Sequence, residues 1–365
     1  MRCADNARYL FSYVHAQQPH ITAVWISHRS ALIAELRAQG FKAYHAYSLG
    51  GLWYTFRAKT IIFESTVSVF FWLTGGMVFV NLWHGIPIKK IVYDSARTKK
   101  ENWVYTATGL RRLYHAFFQP EKIALGEYVL AQAPLWKPIF SSAFRLPPEK
   151  VIVENQPRNV AMLASHRDTV VLENEQEWLH DIASKRGRKI ITYLPTFRDG
   201  VQDPLQGSGI DFPALDNVLA TCGAHMYIKA HHEKVVTGGA GHYTNITFVP
   251  AELGALQMLR HTDILLTDYS SIFFEFLLTD RPIIFFPFDL HVYQGGMRDM
   301  YFEYDAVTPG PKVRSFEALA HEIEAAVRGE DTYADARAKA RDMAFSPNPE
   351  AAPEKVFKRI SGILA

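Results

Sequence analysis

Short β-rich apolar runs alternate with stretches of helical periodicity along almost the whole chain, and that alternation constrains the fold more than any single motif. In the second half Ile190–Leu194, Met226–Ala230, Thr247–Val249, Asp263–Thr267 and Pro282–Phe286 read as strands. Helical patterns fall between and after them at Glu175–Arg186, Phe212–Cys222, Leu253–His261, Ser270–Leu278 and Phe316–Arg328, with two more helices near the C-terminus. The first half repeats the scheme. Strands are expected at Thr22–Ile26, Phe41–Tyr44, Thr60–Phe63, Met77–Trp83, Tyr128–Gln132 and Val151–Glu154, and helices at Asn6–Gln17, Arg29–Gln39, Leu49–Ala58 and Leu135–Phe144. Such alternation predicts an α/β fold with parallel sheets. The 365 residues suffice for two Rossmann-like domains facing a cleft, 1–155 and 156–365, with the junction near Asn155-Gln156-Pro157-Arg158. Ligands are then expected at the carboxyl ends of strands.

Composition removes several classes. Hydrophobic residues make 48% and charged residues 21% of the chain, which excludes collagenous, disulfide-stapled and wholly disordered readings. Thirty-nine basic against 37 acidic residues leave a formal charge of +2, which gives no sign of a nucleic-acid partner. Cys3 and Cys222 stand alone, without CxxC or Cys/His ligand spacing, so the reading is a reducing, cytoplasmic compartment and no metal site. The first residues lack an apolar core of the signal-peptide kind, and the run Val67–Val80 is too short and too interrupted to span a bilayer.

Four segments carry candidate chemistry. The strand ending Asn81-Leu82-Trp83 runs into His84-Gly85, then Pro87, Lys89 and Lys90. A histidine held at a strand end serves as a general base near neutral pH, or simply as a hydrogen-bonded structural residue beside a turn. A second strand runs into His231-His232. Adjacent residues on extended backbone point to opposite sides, so at most one faces the cleft. The third segment, Thr267-Asp268-Tyr269-Ser270-Ser271, opens an apolar helix bearing Glu275. Its backbone amides and hydroxyls suit an anion, while Asp268 or Ser270 also suits ordinary helix capping. Glu275 either reaches ligand hydroxyls or sits on a solvated face. The fourth, Pro195-Thr196-Phe197-Arg198-Asp199, offers a hydroxyl and a guanidinium just beyond a strand; Arg198 suits a bidentate phosphate contact or a surface ion pair.

Together these segments resemble the CDP-glycerol glycerophosphotransferase family, the teichoic-acid primases and polymerases and related capsule enzymes. The resemblance runs from Asn6 to about Val313 and takes in Ala23–Ile26, Ala46–Leu49, Asn81–Lys90, Pro157–Asn159, Pro195–Asp199, Thr267–Ser271, Pro282–Phe285 and Pro309–Pro311. It implies a fold of the glycosyltransferase B type and transfer of a polyol phosphate from a CDP-polyol donor, with no cofactor. The acceptor it implies is a hydroxyl of a lipid-linked saccharide or growing polymer at the cytoplasmic face of the membrane. The family's two important histidines map to His84 and His231. His84 is then assigned as base and His231 as phosphate stabiliser or proton donor, roles that are exchangeable. Thr196, Arg198, Thr267, Asp268, Ser270, Ser271 and Glu275 are assigned to donor binding, and Gly85, Lys89, Lys90 and Arg158 to acceptor or phosphate contacts. Three positions depart from the family's pattern: the segment Asn155–Val160, Glu275 in place of Asp, and His232. They leave the polyol and acceptor open. A nucleotide-sugar glycosyltransferase or epimerase shares this fold, and a catalytically silent membrane- or polymer-binding scaffold is a further alternative.

One more pattern concerns a surface. Leu110, Leu113, Tyr114, Phe117 and Phe118 recur at helical spacing beside Arg111, Arg112 and His115, following Lys89, Lys90, Arg97, Lys99 and Lys100. The expectation is peripheral binding to an anionic membrane; the alternative is that this apolar face packs into the domain core.

Overall fold

A computed structural model describes residues 3, 5–65, 67, 69–95, 107–118, 125–163, 166, 170–196, 205, 207–229, 243–250, 253–290 and 300–365. Among the described residues there are eleven strands, and every pairing between them is parallel. The fold is α/β.

The chain divides into two compact units. The first comprises Met1–Val160, His166–Val170 and Ala344–Ala365; the second comprises Ala161–Ser165 and Val171–Met343. In the first, β1 (Trp25–Ser27) pairs with β2 (Ala43–His45). A separate sheet holds β3 (Thr60–Phe63), β4 (Val78–Asn81), β5 (Tyr128–Ala131) and β6 (Val151–Val153) in that order. The division expected from sequence, 156–365 as one domain, is corrected here. The last helix, Ala352–Leu364, packs Val356 and Ile360 against Leu10, Val14, Val80 and Leu82 of the first unit. Two hydrogen bonds fasten the segment before it: Trp136 Nε1 donates to the Ala344 carbonyl at 2.9 Å, and Asn155 Nδ2 to the Ser346 carbonyl at 2.6 Å. A single cut along the sequence cannot represent a chain that returns to its starting unit.

The second unit contains β7 (Lys189–Leu194), β8 (Ala224–Ile228), β9 (Ile246–Phe248), β10 (Ile264–Thr267) and β11 (Ile283–Phe285), in the order β11-β10-β7-β8-β9. All residues of β8 and β10 are buried, as expected of inner parallel strands covered on both faces. The helices Phe212–Cys222 and Phe316–Arg328 pack Leu215, Leu219, Leu319 and Ile323 into that core. Each is bounded by an explicit cap. Asp211 and Ser315 accept from backbone N–H groups at the start, and Gly223 and Gly329 take left-handed backbone at the end. The sheet order reverses between β7 and β10, because the chain adds β8 and β9 on one side and then β10 and β11 on the other. A crevice therefore opens at the carboxyl ends of β7 and β10.

Candidate functional site

In the first unit the carboxyl ends of β3 to β6 form a polar rim. His84 lies three residues beyond β4, on a turn built by buried amides. Asn81 Oδ1 accepts from Trp83 N at 2.8 Å, Asn6 Nδ2 donates to the Trp83 carbonyl at 2.7 Å, and Gln156 Nε2 donates to the Leu82 carbonyl at 3.1 Å. Trp83 takes a left-handed φ of 54°, and Gly85 follows at 133°, where a side chain would be strained. The Trp83 ring stacks on His84 at 4.1 Å and meets Phe144 edge-on at 5.1 Å. These contacts hold the imidazole in one orientation while its surface stays exposed.

The protonation of that ring follows from its partner. His84 Nδ1 lies 3.2 Å from the Glu64 carbonyl oxygen. A carbonyl only accepts, so Nδ1 carries the proton and the neutral ring keeps its lone pair on Nε2. Among the described residues no protein group bonds Nε2. Surrounding protein lowers the pKa of His84 below 6.5; Arg158 acts in the same direction, and Asp5 and the Glu64 carbonyl act against it. The Glu64 carboxyl, which accepts from Ala7 N, is pushed well above its ordinary value, chiefly by burial and then by Asp5. At neutral pH the rim thus presents an unprotonated, oriented imidazole, the form a general base requires.

Arg158 corrects an expectation. Its guanidinium is buried on Asp5, and its backbone N–H donates to Asn6 Oδ1 at 3.1 Å, so it is turned into the protein. A buried cation needs an anionic partner, and Asp5 supplies one. Lys89 and Lys90 are half-buried, and Gly85 is buried. Sequence reading gave no role to Asp5, Asn6, Glu64, Gln132 or Gln156. Gln132 Nε2 donates to Gln156 Oε1 at 2.9 Å, and Asn159 Nδ2 to Gln132 Oε1 at 3.1 Å. The available signal was position: Glu64 and Gln132 each directly follow a strand.

In the second unit the register Thr267↔Leu194 brings Thr196 and Asp268 side by side just past the tips of β7 and β10. The Asp268 carboxylate accepts from Thr196 N at 2.9 and 3.2 Å, from the Thr196 hydroxyl, and from Tyr269 N at 2.6 Å. Tyr304 OH donates to the Asp268 carbonyl at 2.8 Å, and Tyr269 OH to Asp289 at 3.0 Å. Burial raises both phenols far above their ordinary pKa, so they remain donors. Thr267 is buried and spends its hydroxyl on the Leu194 carbonyl at 2.9 Å. Thr267 and Asp268 therefore bind the crevice walls together rather than face a ligand.

The helix expected over Ser270–Leu278 is shorter. It spans Phe273–Phe276 and tightens into a 3-10 turn at Leu277–Thr279. Asp268 does not cap it, and Ser270 Oγ accepts only a 3.4 Å bond from Ile272 N. The backbone N–H groups of a single helical turn do not make the anion site that a longer helix offers. Ser270 and Ser271 stay half-buried at the crevice. Glu275 is 0% exposed, so it lies on no solvated face. His231, His232 and Arg198 lie outside the described residues. Among the described residues no three His, Cys, Asp or Glu side chains gather as a metal site.

The helix Gly109–Phe118 forms, but its apolar face is not packed into a core: Leu110 is 85% exposed, and Leu113, Tyr114, Phe117 and Phe118 are also open. Trp72 lies on Phe117 at 5.1 Å, joining this helix to the turn Phe71–Leu73. Most of the other large apolar side chains exposed among the described residues, including Tyr47, Leu49, Trp53, Phe56 and Phe70, belong to the same unit.

The family described as CDP-Glycerol:Poly(glycerophosphate) glycerophosphotransferase matches residues 1–362. A teichoic acid poly(glycerol phosphate) polymerase of Bacillus spizizenii is 26% identical over 76% of this chain and 68% of its own. A teichoic acid glycerol-phosphate transferase of Staphylococcus aureus is 26% identical over 77% of this chain and 70% of its own. Against the poly(glycerol phosphate) polymerase of Bacillus subtilis the match covers 87% of this chain but 42% of that protein. Among solved structures, the wall teichoic acid polymerase TagF superposes over 100% of this chain and 87% of its own, with a TM-score of 0.75 at 20% identity. A UDP-N-acetylglucosamine 2-epimerase-like protein from Listeria monocytogenes follows at a TM-score of 0.54 and 12% identity, over 98% of this chain and 92% of its own.

Proposed function

The chain belongs to the CDP-glycerol:poly(glycerophosphate) glycerophosphotransferase family, and we propose that it moves glycerol phosphate from CDP-glycerol to a hydroxyl of a lipid-linked saccharide or growing teichoic-acid- or capsule-like polymer, releasing CMP. The observation that carries the reading is His84, fixed through Nδ1 on the Glu64 carbonyl with Nε2 unprotonated and open. Nε2 takes the proton of the acceptor hydroxyl as its oxygen bonds to the donor's β-phosphorus. The phosphoanhydride bond to CMP breaks, and its electron pair leaves on the CMP phosphate. Ser270 and Ser271, with Arg198, hold the pyrophosphate through charge-assisted hydrogen bonds, while Thr196, whose N–H and hydroxyl are spent on Asp268, shapes the crevice beside them. His231 steadies the departing phosphate or gives it a proton. Gly85, Lys89 and Lys90 serve the acceptor side.

The reaction takes place at the cytoplasmic face of a membrane, to which the first unit attaches peripherally. The support is the open face of Leu110, Leu113, Tyr114, Phe117 and Phe118 next to exposed Arg111 and Arg112. Apolar side chains enter the interface while each basic residue adds about 1 kcal/mol near an anionic surface.

Two measurements test this reading. CMP release and product mass are followed with CDP-glycerol, CDP-ribitol and nucleotide sugars, with and without a lipid-linked acceptor. Acceptor-dependent CMP from CDP-glycerol is expected; CMP from CDP-ribitol alone changes the polyol, and a nucleoside diphosphate from a sugar donor overturns the reaction class. Flotation with anionic liposomes is expected at low salt and is lost when Arg111 and Arg112 become Glu. Absence of flotation at low salt ends the attachment proposal.

A further inference from the structure

The first unit contains a cavity of about 790 Å³, within the range of roughly 300–1,000 Å³ typical of sites that enclose small ligands. It lies where the unit's strands part: among the described residues β1 pairs only with β2, and β3 only with β4. Phe11 and Val14 of the first helix, Ile26 of β1, Ile61 and Ile62 of β3 and Ile360 of the last helix line it. Ile26, Ile61 and Ile62 are strand residues left half-buried, in contrast to the closed strands β8 and β10 of the second unit. An interior so rich in aliphatic side chains offers water few of the two to four polar partners that hold it in place.

The mouth adds two features. Trp53 lines the cavity yet is 56% exposed, and it shares one face of the helix Leu49–Arg57 with exposed Leu49 and Phe56. The cavity therefore opens beside an exposed apolar strip of this helix, in the same unit as the surface through which the protein is proposed to meet the membrane. Arg57, one turn further and also on the lining, holds its guanidinium 5.1 Å from the Trp53 ring centroid. An aliphatic interior, an arginine at the entrance and a hydrocarbon-facing approach together match an amphipath whose chain goes in and whose phosphate stays at the rim.

We infer that this cavity takes the hydrocarbon chain of the lipid-linked acceptor, with the lipid phosphate at Arg57. The identity of the chain as the acceptor's rests on the function proposed above. Enclosing the chain draws the acceptor partly out of the bilayer and fixes its saccharide end relative to the first unit, which raises the effective concentration of the hydroxyl.

The test has a binding arm and a kinetic arm. Isothermal titration of the full chain with alkyl phosphates of increasing length, kept below their micellar concentration, reads the cavity directly. Affinity is expected to rise at least about tenfold over the series and then level off, because each buried methylene contributes until the space is filled. Ile62→Trp, which fills the interior, is expected to remove the length dependence, and Arg57→Gln to weaken all lengths alike. Leu364→Trp, placed at the half-buried end of the last helix, gives a second filled variant should the first misfold, with circular dichroism checking both. Affinity that ignores chain length, or a folded filled variant that binds like the parent, overturns the cavity. In the kinetic arm, the acceptor KM is expected to fall with chain length in the parent, and the ratio between shortest and longest acceptor to collapse below about twofold in the filled variant. Length-dependent titration with a length-independent KM overturns the acceptor assignment and leaves a membrane phospholipid as occupant. No turnover of any acceptor, with length-dependent titration intact, strikes the function and not the cavity.

Discussion

The pKa of His84 in the first unit and of His225 in the second is held below 6.5, by the protein around the ring in one case and by full burial in the other, and their surroundings differ in kind. His225 lies within β8, is 1% exposed, and meets Thr247 Oγ1 through Nε2 at 2.9 Å. It is pushed down to about 4, by burial first and by Lys185 next. His84 lies beyond the end of β4, with one nitrogen committed to a backbone carbonyl and the other open to solvent. A lowered pKa is thus common to a packed histidine and an accessible one. Each ring keeps one nitrogen without a hydrogen bond, so position at the strand end and exposure to solvent are what separate them.

The same contrast extends to the two rims. In the first unit, amides and a carbonyl are spent on orienting a side chain that stays available. In the second, Asp268, Thr196, Thr267, Tyr269 and Tyr304 bond to one another or to main chain around the crevice. What that crevice offers a ligand is its shape, together with Ser270 and Ser271.

The largest effect expected from this comparison is on turnover. His84→Ala should lower kcat by about 10²–10⁴, the usual contribution of a positioned acid–base group, while circular dichroism and the melting midpoint stay close to the parent. His225→Gln should leave kcat within about twofold. Comparable losses from both substitutions would dissolve the distinction between them.

Asp268→Ala should come next, and in stability. It leaves Thr196 N, the Thr196 hydroxyl and Tyr269 N without their shared acceptor. With about 1–3 kcal/mol for each buried group left unsatisfied, and some relaxation, a loss of about 3 kcal/mol is expected in denaturant titration. A loss under about 1 kcal/mol would mean that the carboxylate does not tie β7 to β10, and would return it to the candidates for ligand contact.

The parts of this organisation that were readable in sequence are those governed by neighbours along the chain. The helices Phe212–Cys222 and Phe316–Arg328 and the strand Thr60–Phe63 form over the residues their patterns indicate, the helices because cap and stop residues directly flank each segment. His84 was legible because strand end, glycine and proline are contiguous. The helix after Ser270 was not, because Asp268 is engaged by Thr196, 72 positions away, and cannot cap it. Asn6 and Gln156 were likewise silent: their partners at Leu82 and Trp83 lie more than 70 positions off, and nothing local marks an amide as a bracket for the turn that carries His84. The return of Ala344–Ala365 to the first unit is legible only in the packing of Val356 and Ile360.

The smallest effect, and the sharpest probe of the first rim, is the acid limb of activity. With the neutral ring as the proposed base, kcat/KM should rise through the pKa of His84 in the free enzyme and stay level above it, with that limb below pH 6.5. Asp5 raises this pKa by its negative charge, against the larger effect of burial. Asp5→Asn removes that charge, so protonated His84 loses stabilisation and the acid limb should move to lower pH. The Arg158 guanidinium, which lowers the pKa, loses its ion pair in the same variant and reinforces the shift. Stability must be separated from activity across this range. Between pH 6.5 and about 4 the unfolded chain binds a proton at His225 that the native state refuses, so stability falls as the pH drops through that window in every variant. Initial rates after a brief pH jump, compared with rates after return to neutral pH, distinguish the reversible limb from unfolding. A limb that stays in place in a folded Asp5→Asn protein would show that Asp5 does not reach the imidazole, and that the surrounding protein, the Glu64 carbonyl and Arg158 set its protonation.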